Sequence, residues 1–172
     1  MQIYLDNSKE PQGQMEIDFY TPISIKFSEN DMRPRELLQY RMINKESSLI
    51  EFSINSNSGK IVEVTFVSIN KIVKEAYTNV ESYEMDKANP KIDLSIFENE
   101  IIVTDELEYT IFQTNDSIIA LANKSKPIKR KIEMSSLMLF VDVEYKLVGV
   151  GFYNFTNSMW EDLQEAIQYA NK

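Results

Sequence analysis

The stretch SSLMLFVDVEYKLVGVGFYNF (residues 135–155) decides the fold, because residues 47–69, SSLIEFSINSNSGKIVEVTFVSI, repeat its pattern. Both open on Ser-Ser-Leu, place a Phe three residues later, and return through Lys-x-Val-x-Val-x-Phe. Such period-two patterns on either side of a polar segment are typical of two antiparallel strands. Asn and Gly of the NSNSG segment suit a tight turn because both tolerate positive φ. Each stretch therefore predicts a β-hairpin.

The two predicted hairpins align position by position. The first strands match at an offset of 88, which places Phe52 against Phe140, and the second strands match at an offset of 86. The second-strand matches are Lys60, Val62, Val64 and Phe66 against Lys146, Val148, Val150 and Phe152. Because the matched residues are mostly apolar and alternate, they predict a buried face of a sheet. Either the chain contains two similar units, or two unrelated hairpins resemble each other by chance.

An amphipathic segment follows each hairpin. Residues 70–80 and 156–172 both place apolar residues on one helical face, and Ser158 with Glu161 predicts a capping box in the second. A short helix is also predicted within DMRPRELLQYRM, after Pro34. Further strands are predicted within residues 14–27, 91–97, 100–104, 107–113, 117–122 and 128–133.

These elements predict an α+β fold, mainly antiparallel β, with two similar hairpin-plus-helix units and a C-terminal amphipathic helix. A chain of 172 residues suits one compact domain, residues 1–172, with two similar halves at about 14–80 and 91–172. Gly149 and Gly151 share one strand face, which indicates either close packing by a helix or sheet, or a groove for a partner. Trp160 is either a core residue or an interface anchor.

Composition argues against most catalytic chemistry. The chain contains neither His nor Cys, which removes the commonest general base, the Ser-His and Cys-His pairs, and nearly all zinc sites. No phosphate-binding loop, metal-spaced cluster or nucleophile elbow is present in the sequence. The acid pairs Asp105/Glu106 and Asp142/Glu144 permit a glycosidase hypothesis, but solvated turn residues explain them better. We expect no catalytic activity and no cofactor.

Charge is unevenly distributed along the chain. The net charge is −9, which disfavours nucleic acid as a partner. Residues 81–108 hold nine acidic residues against two lysines, whereas NKSKPIKRK (residues 123–131) is basic and fits an edge strand protected by lysines. The acidic stretch is either ordinary solvated surface or a surface that attracts a cationic partner.

Nothing in the sequence predicts a membrane protein or an exported one. The N-terminal segment lacks a basic region followed by an apolar run, and no stretch approaches the roughly 20 apolar residues of a membrane helix. We therefore expect a cytoplasmic protein.

The stretch LMLFVDVEYKLVGVGFYNFTNSMWEDLQEAI (residues 137–167) resembles small bacterial immunity proteins, which protect a cell from polymorphic or contact-dependent toxins. The resemblance covers about half of the chain and consists of packing residues, so it carries no functional residue over. It implies a cytoplasmic, non-catalytic protein that occludes or distorts the active site of a nuclease or other toxin domain.

An acidic inhibitor facing a basic toxin domain would agree with the charge distribution. The residues predicted to face that domain are Asp93, Glu98, Glu100, Asp105, Glu106 and Glu108. Two alternatives remain open: a non-catalytic accessory or scaffold subunit, and a carboxylate-dependent hydrolase.

Overall fold

The computed structural model describes residues 1–6, 8–30, 36–45, 48–74, 83–123 and 127–170. Strands make up most of the regular structure in this part of the chain, and one helix, α1 (Asn157–Ala170), ends it. Two short 3-10 helices lie at Ser28–Asn30 and Leu94–Ile96. The strands are β1 (Ile3–Tyr4), β2 (Gln14–Glu16), β3 (Ile23–Lys26), β4 (Leu37–Ile43), β5 (Leu49–Asn55), β6 (Ile61–Ser68), β7 (Ile72–Val73), β8 (Glu84–Lys87), β9 (Lys91–Ile92), β10 (Ile102–Glu106), β11 (Tyr109–Gln113), β12 (Ser117–Ala122), β13 (Arg130–Met134), β14 (Leu137–Val141) and β15 (Leu147–Tyr153).

Most of these strands belong to two large sheets. The six-stranded sheet has the order β10-β4-β5-β6-β3-β2, and the seven-stranded sheet has the order β7-β11-β12-β15-β14-β13-β8. β1 and β9 form a separate antiparallel pair. Pairing is antiparallel except at the sheet margins, where β10–β4, β7–β11 and β8–β13 are parallel. The predicted class, α+β with mainly antiparallel sheets and a C-terminal helix, is confirmed.

The two sheets share one strand order. In the first, β2 and β3 form a hairpin, β4, β5 and β6 follow, and β6 pairs back onto β3. In the second, β11 and β12 form a hairpin, β13, β14 and β15 follow, and β15 pairs back onto β12. The two repeated stretches of sequence therefore occupy corresponding central positions in different sheets.

Both central hairpins contain a β-bulge at the same place. The register shifts between Ser53 and Ile54 in one hairpin, and between Phe140 and Val141 in the other. The shifts leave Val62 and Val148 without a directly opposite partner. A bulge inserts one residue and changes which side chains share a face. These two bulges therefore lie at matched positions, whereas a second register shift in the first hairpin, between Leu49 and Ile50, has no counterpart in the other hairpin.

Because of the bulges, the residues that enter the core differ in part from those predicted. Val64, Phe66, Val150 and Phe152 lie in the main apolar cluster as predicted, but that cluster takes Ile61 and Leu147 rather than Val62 and Val148. Val62 is buried, and Val148 joins a second cluster with Ile119, Leu121, Met138 and Phe140.

The offset in the first strands was also wrong by one residue. Phe52 pairs with Val64 and Leu139 pairs with Val150, so Leu139, not Phe140, is the counterpart of Phe52. Phe140 lies in the second cluster, because a shift of one residue turns a side chain to the other face.

The sheets pack against each other through their central strands. The main cluster draws buried residues from both sheets, and the rings of Phe66 and Phe152 stack with centroids 5.9 Å apart. These are matched residues of the two hairpins, and neither is exposed to solvent. The repeated pattern thus supplies both sides of one interface.

Two predicted helices are wrong where the structure describes them. Residues 37–43 form β4, and residues 72–73 form β7 beside β11. β-branched and alternating apolar residues favour strands once neighbouring strands are available. Residues 31–35 and 75–80 of these predictions lie outside the described residues.

The C-terminal helix is confirmed, with a different cap. Thr156 accepts a hydrogen bond from the backbone N–H of Met159 at 3.3 Å, so Thr156 rather than Ser158 caps the helix. Leu163 and Ala166 are buried, and Trp160 stacks on Phe155 with centroids 4.4 Å apart. Trp160 is thus part of the packing that anchors the helix.

The paired glycines of β15 are sites of close packing. A Cβ atom on Gly149 would overlap Cδ2 of Leu121 and lie 2.7 Å from the carbonyl oxygen of Ala120. A Cβ atom on Gly151 would lie 2.6 Å from Cε2 of Tyr153, a side chain that can turn away. Neighbouring side chains therefore already fill this face of β15.

We expect Gly149→Ala to destabilise the protein by about 2 kcal/mol, because the backbone oxygen of Ala120 cannot move without disturbing the sheet. Gly151→Ala is the matched control and should cost less. Urea denaturation of both variants measures the difference. Equal effects would show that the Ala120 contact is not limiting.

Candidate functional site

The edge strand β10 carries two residues of the acidic stretch, Asp105 and Glu106. β10 ends the six-stranded sheet and pairs in parallel with β4, from Ile102 opposite Gln39 to Glu106 opposite Ile43. Side chains alternate along it, so Ile102, Thr104 and Glu106 are exposed while the residues between them are half-buried. Edge strands offer unpaired backbone groups to a partner.

Asp105 points inward rather than toward a partner. It lies within β10, not in a turn between strands, and therefore faces the opposite side from Glu106. Its carboxylate accepts a hydrogen bond from the hydroxyl of Tyr40, which is buried. Burial and this hydrogen bond raise the pKa of Tyr40. Asp105 thus serves the packing of β10 on β4.

The carboxylate of Asp93 also forms hydrogen bonds within the protein. It caps the 3-10 helix Leu94–Ile96, accepting a hydrogen bond from the backbone N–H of Ser95 at 3.0 Å. The hydroxyl of Tyr4 donates a second hydrogen bond at 3.3 Å. The hydrogen bond from Ser95 lowers the pKa of Asp93. The strand predicted within residues 91–97 is therefore limited to Lys91–Ile92, and a 3-10 helix follows it.

Glu98, Glu100 and Glu106 are exposed, and within the described part of the chain no basic side chain pairs with any of them. Beside them, Ile101 and Ile102 are 51% and 43% exposed. We call these five residues the acidic edge. The segment that carries it is tied down at both ends, because Phe97 is buried and the carbonyl of Ile101 accepts a hydrogen bond from Gln39.

Glu108 belongs to a different feature, a cleft of about 480 Å³. Its carboxylate pairs with the ammonium group of Lys45 at 3.2 Å, and the backbone carbonyl of Tyr109 accepts a hydrogen bond from Asn44 at 2.6 Å. The described lining residues are Asn44, Lys45, Ser48, Lys71, Val73, Glu108, Tyr109, Thr110, Ile111 and Asn123. They include one carboxylate, whereas carboxylate-dependent glycoside hydrolysis uses two.

The basic run neutralises part of the acidic stretch. Arg130 on β13 pairs with Glu84 at 2.8 Å and with Asp86 at 3.0 Å, both on β8. β8 lies outside β13, so the predicted lysine-protected edge strand is wrong. Glu81, Lys124 and Lys126 lie outside the described residues.

The second acid pair divides between surface and interior. Glu144 is exposed in the hairpin turn and pairs with Lys146 at 3.3 Å, as solvated surface should. Asp142 is buried and accepts hydrogen bonds from the backbone N–H groups of Glu144 and Lys146. It shapes the turn, as an Asx residue commonly does.

Sequence reasoning missed Ile101 and Ile102. The signal was present in ENEIIVTDE (residues 98–106), where two isoleucines lie between acidic residues at the start of a strand. Their exposure depends on β10 being an edge strand, which the local pattern does not reveal.

The chain matches no family model, and comparison with curated proteins also returns no match. Among the described residues, no helix combines the length and the apolar character needed to cross a membrane. The same part of the chain holds no group of three or more acidic side chains placed to bind a metal ion. The role of the acidic edge must therefore be inferred from the positions, exposure and charges of its own residues.

Proposed function

We propose that this protein is a non-catalytic binding protein that neutralises a cognate bacterial toxin domain by direct contact. The acidic edge would face a basic surface of that domain. The observation that carries the proposal is a combination of exposed residues on edge strand β10 and on the segment directly before it: three glutamates without a basic partner among the described residues, and two isoleucines. Exposed apolar side chains beside uncompensated charge are typical of a protein-binding surface.

The two kinds of residue would contribute differently to binding. Carboxylates at the rim of an interface mainly raise the association rate, because they steer a cationic partner over a distance set by salt. Isoleucines contribute through the apolar area that they bury, about 25 cal/mol per Å². The glutamates also repel a second copy of the same strand, which would protect this edge from self-association.

The proposed class rests on the resemblance of residues 137–167 to immunity proteins. These residues form β14, β15 and most of α1, and the two strands belong to the seven-stranded sheet, whereas β10 belongs to the six-stranded sheet. The resemblance therefore supports the proposal that the protein is an immunity protein, and the acidic edge supports the proposed position of the binding surface. Cytoplasmic location belongs to the same proposal.

We also infer that the two sheets are copies of one unit, within the halves predicted at about 14–80 and 91–172. The shared strand order, the matched bulges at Val62 and Val148, and the contact of Phe66 with Phe152 support this. Superposition of β2–β6 on β11–β15 tests it. If pairing Val62 with Val148 leaves the other strands out of register, the inference is wrong.

If the proposal holds, the gene directly before this one should encode the toxin domain, and neutralisation can be tested with that domain. Expressed alone in a sensitive bacterium, that domain should arrest growth, and co-expression of this protein should restore it and yield a stable complex. Failure to restore growth or to form a complex would contradict the proposal. A complex whose partner keeps full activity would favour an accessory subunit.

Within that complex, we expect Glu98→Lys/Glu100→Lys/Glu106→Lys to slow association at least ten-fold at low salt, because three steering charges are reversed. Surface plasmon resonance at several salt concentrations measures the rate. Glu16→Lys/Glu144→Lys/Glu161→Lys is the matched control, with the same change in net charge at exposed sites elsewhere.

The two triple variants separate location from overall charge. If both slow association equally, only net charge matters and the acidic edge is not the interface. The midpoint of thermal unfolding should be close to that of the unaltered protein for both variants, since all six residues are exposed.

A further inference from the structure

Three aromatic side chains are held together in solvent on another part of the molecule. Phe19, Tyr20 and Tyr169 are 50%, 82% and 56% exposed. Tyr169 contacts the other two edge to face, with ring centroids 5.9 Å from Phe19 and 6.4 Å from Tyr20. We call these three residues the aromatic patch. Large aromatic side chains are rarely left so exposed side by side without a partner.

The backbone that carries the aromatic patch is anchored on both sides. Phe19 and Tyr20 lie in the loop between β2 and β3, where Asp18 accepts a hydrogen bond from the backbone N–H of Tyr20 at 2.8 Å. Tyr169 lies in the last turn of α1. At the other end of α1, the indole N–H of Trp160 donates to the carbonyl of Asn115 at 3.1 Å. The β2–β3 loop and α1 therefore hold the three aromatic rings in place.

Two carboxylates of α1 lie on the same helical face as Tyr169. Asp162 and Glu165 lie seven and four residues before Tyr169, which puts them on the same face of α1, and both are exposed. Asn157–Ala170 contains no Lys or Arg. Aromatic ring faces attract cationic side chains, and adjacent carboxylates add hydrogen bonds and charge. This surface is complementary to arginine or lysine.

We propose that the aromatic patch, with Asp162 and Glu165, is a docking surface for a basic segment of a protein partner. Arginine side chains would lie over the rings of Tyr20 and Tyr169 while their guanidinium groups reach the helix carboxylates. This inference goes beyond the toxin-binding proposal, since it names a second surface with its own chemistry.

The second surface is separate from the acidic edge. β2 and β10 are at opposite margins of the six-stranded sheet, five strand spacings or about 24 Å apart. Either proposal can therefore fail without the other, and variants of one surface leave the other unchanged.

Binding of a fluorescent octa-arginine peptide to the full chain tests the proposal. At 150 mM salt, where weak long-range attraction is screened, Phe19→Ala/Tyr20→Ala/Tyr169→Ala should weaken binding about ten-fold without changing net charge. Ile101→Ala/Ile102→Ala/Val143→Ala is the matched control, because it removes three exposed apolar side chains elsewhere, two of them on the acidic edge. It should bind as the unaltered protein does.

A second variant keeps the aromatic rings in place. Asp162→Asn/Glu165→Gln should weaken octa-arginine binding about five-fold and reduce its salt dependence. Trp160 fluorescence checks that α1 remains docked in every variant. Amide chemical shifts in the unaltered protein should change at residues 18–21 and 165–169 on addition of the peptide.

The other occupants of such a surface are outcomes of the same experiment. Unchanged peptide affinity in the aromatic variant, or a loss of affinity confined to the control variant, would overturn the proposal. So would binding to phosphatidylcholine vesicles that the aromatic variant abolishes, which would assign the patch to a membrane. Dimerisation of the unaltered protein that the aromatic variant abolishes would assign it to a second copy of the chain.

Discussion

Phe66→Ala is expected to reduce the free energy of unfolding by about 4 kcal/mol. Phe66 is fully buried between Ile23 and Ile50 on its neighbouring strands, and its ring stacks on Phe152 of the other sheet. Truncation removes the ring and leaves a cavity where the two sheets meet, and such changes cost about 3–5 kcal/mol. Because domains of this size are stable by roughly 5–15 kcal/mol, much of the total would be lost.

Urea denaturation of Phe66→Ala, Phe152→Ala and the double variant measures this effect. The two single variants should cost similar amounts, and the double variant less than their sum, because both single changes remove the same ring contact. Phe66→Leu is the control and should cost about half as much. A loss below about 1 kcal/mol for Phe66→Ala would mean that the sheets do not depend on this contact.

Asn30→Leu is expected to cost about 3 kcal/mol, although it adds apolar volume to the interior. The buried amide of Asn30 donates to the carbonyl of Ile61 at 2.6 Å and exchanges two hydrogen bonds with the amide of Asn89, at 3.0 and 2.8 Å. Removing one partner leaves buried polar groups without hydrogen bonds, and each such group costs roughly 1–3 kcal/mol.

Asn30→Leu/Asn89→Leu tests the cause of that loss. Replacing both partners removes both unpaired amides, so the double variant should be destabilised by at least 1 kcal/mol less than the sum of the single variants. Asn99→Leu, at an exposed position, should change stability by less than about 0.5 kcal/mol. Simple additivity in the cycle would contradict the reciprocal hydrogen bonds.

The Asn30–Asn89 pair also bears on how the acidic stretch is positioned. Asn30 lies in the 3-10 helix after β3, and Asn89 lies just before β9. Asn55, at the end of β5, donates to the carbonyl of Asn30 at 2.9 Å. One buried network therefore fixes the first hairpin turn and the beginning of the segment that leads to the acidic edge. Destabilising this network should disturb both.

Local patterns predicted the hairpins well because their signals are local. Alternation in residues 49–55 and 61–68, with Asn and Gly between them, specifies two strands and a turn whatever surrounds them. The amphipathic pattern of α1 is equally local. Prediction failed at residues 37–43 and 72–73, where neighbouring strands converted ambiguous apolar segments into strands.

The candidate site was predicted only in part, for a related reason. The excess of acidic residues was visible in the sequence, but which carboxylates remain available depends on their partners. Asp105 accepts a hydrogen bond from Tyr40, and Asp93 accepts one from Ser95. Glu108 forms an ion pair with Lys45. Those partners are specified by strand alternation, by a short helix and by a distant loop.

The sequence by itself determined two β-hairpins, a C-terminal helix and an acidic segment, because side-chain periodicity and composition are properties of neighbouring residues. Only the tertiary structure decided that the hairpins lie in different sheets, that Leu139 rather than Phe140 corresponds to Phe52, and that Tyr169 meets Phe19 and Tyr20. Each of these depends on contacts between distant segments. A bulge of one residue, or the choice of an edge strand, follows from the packing of the whole chain rather than from any local pattern.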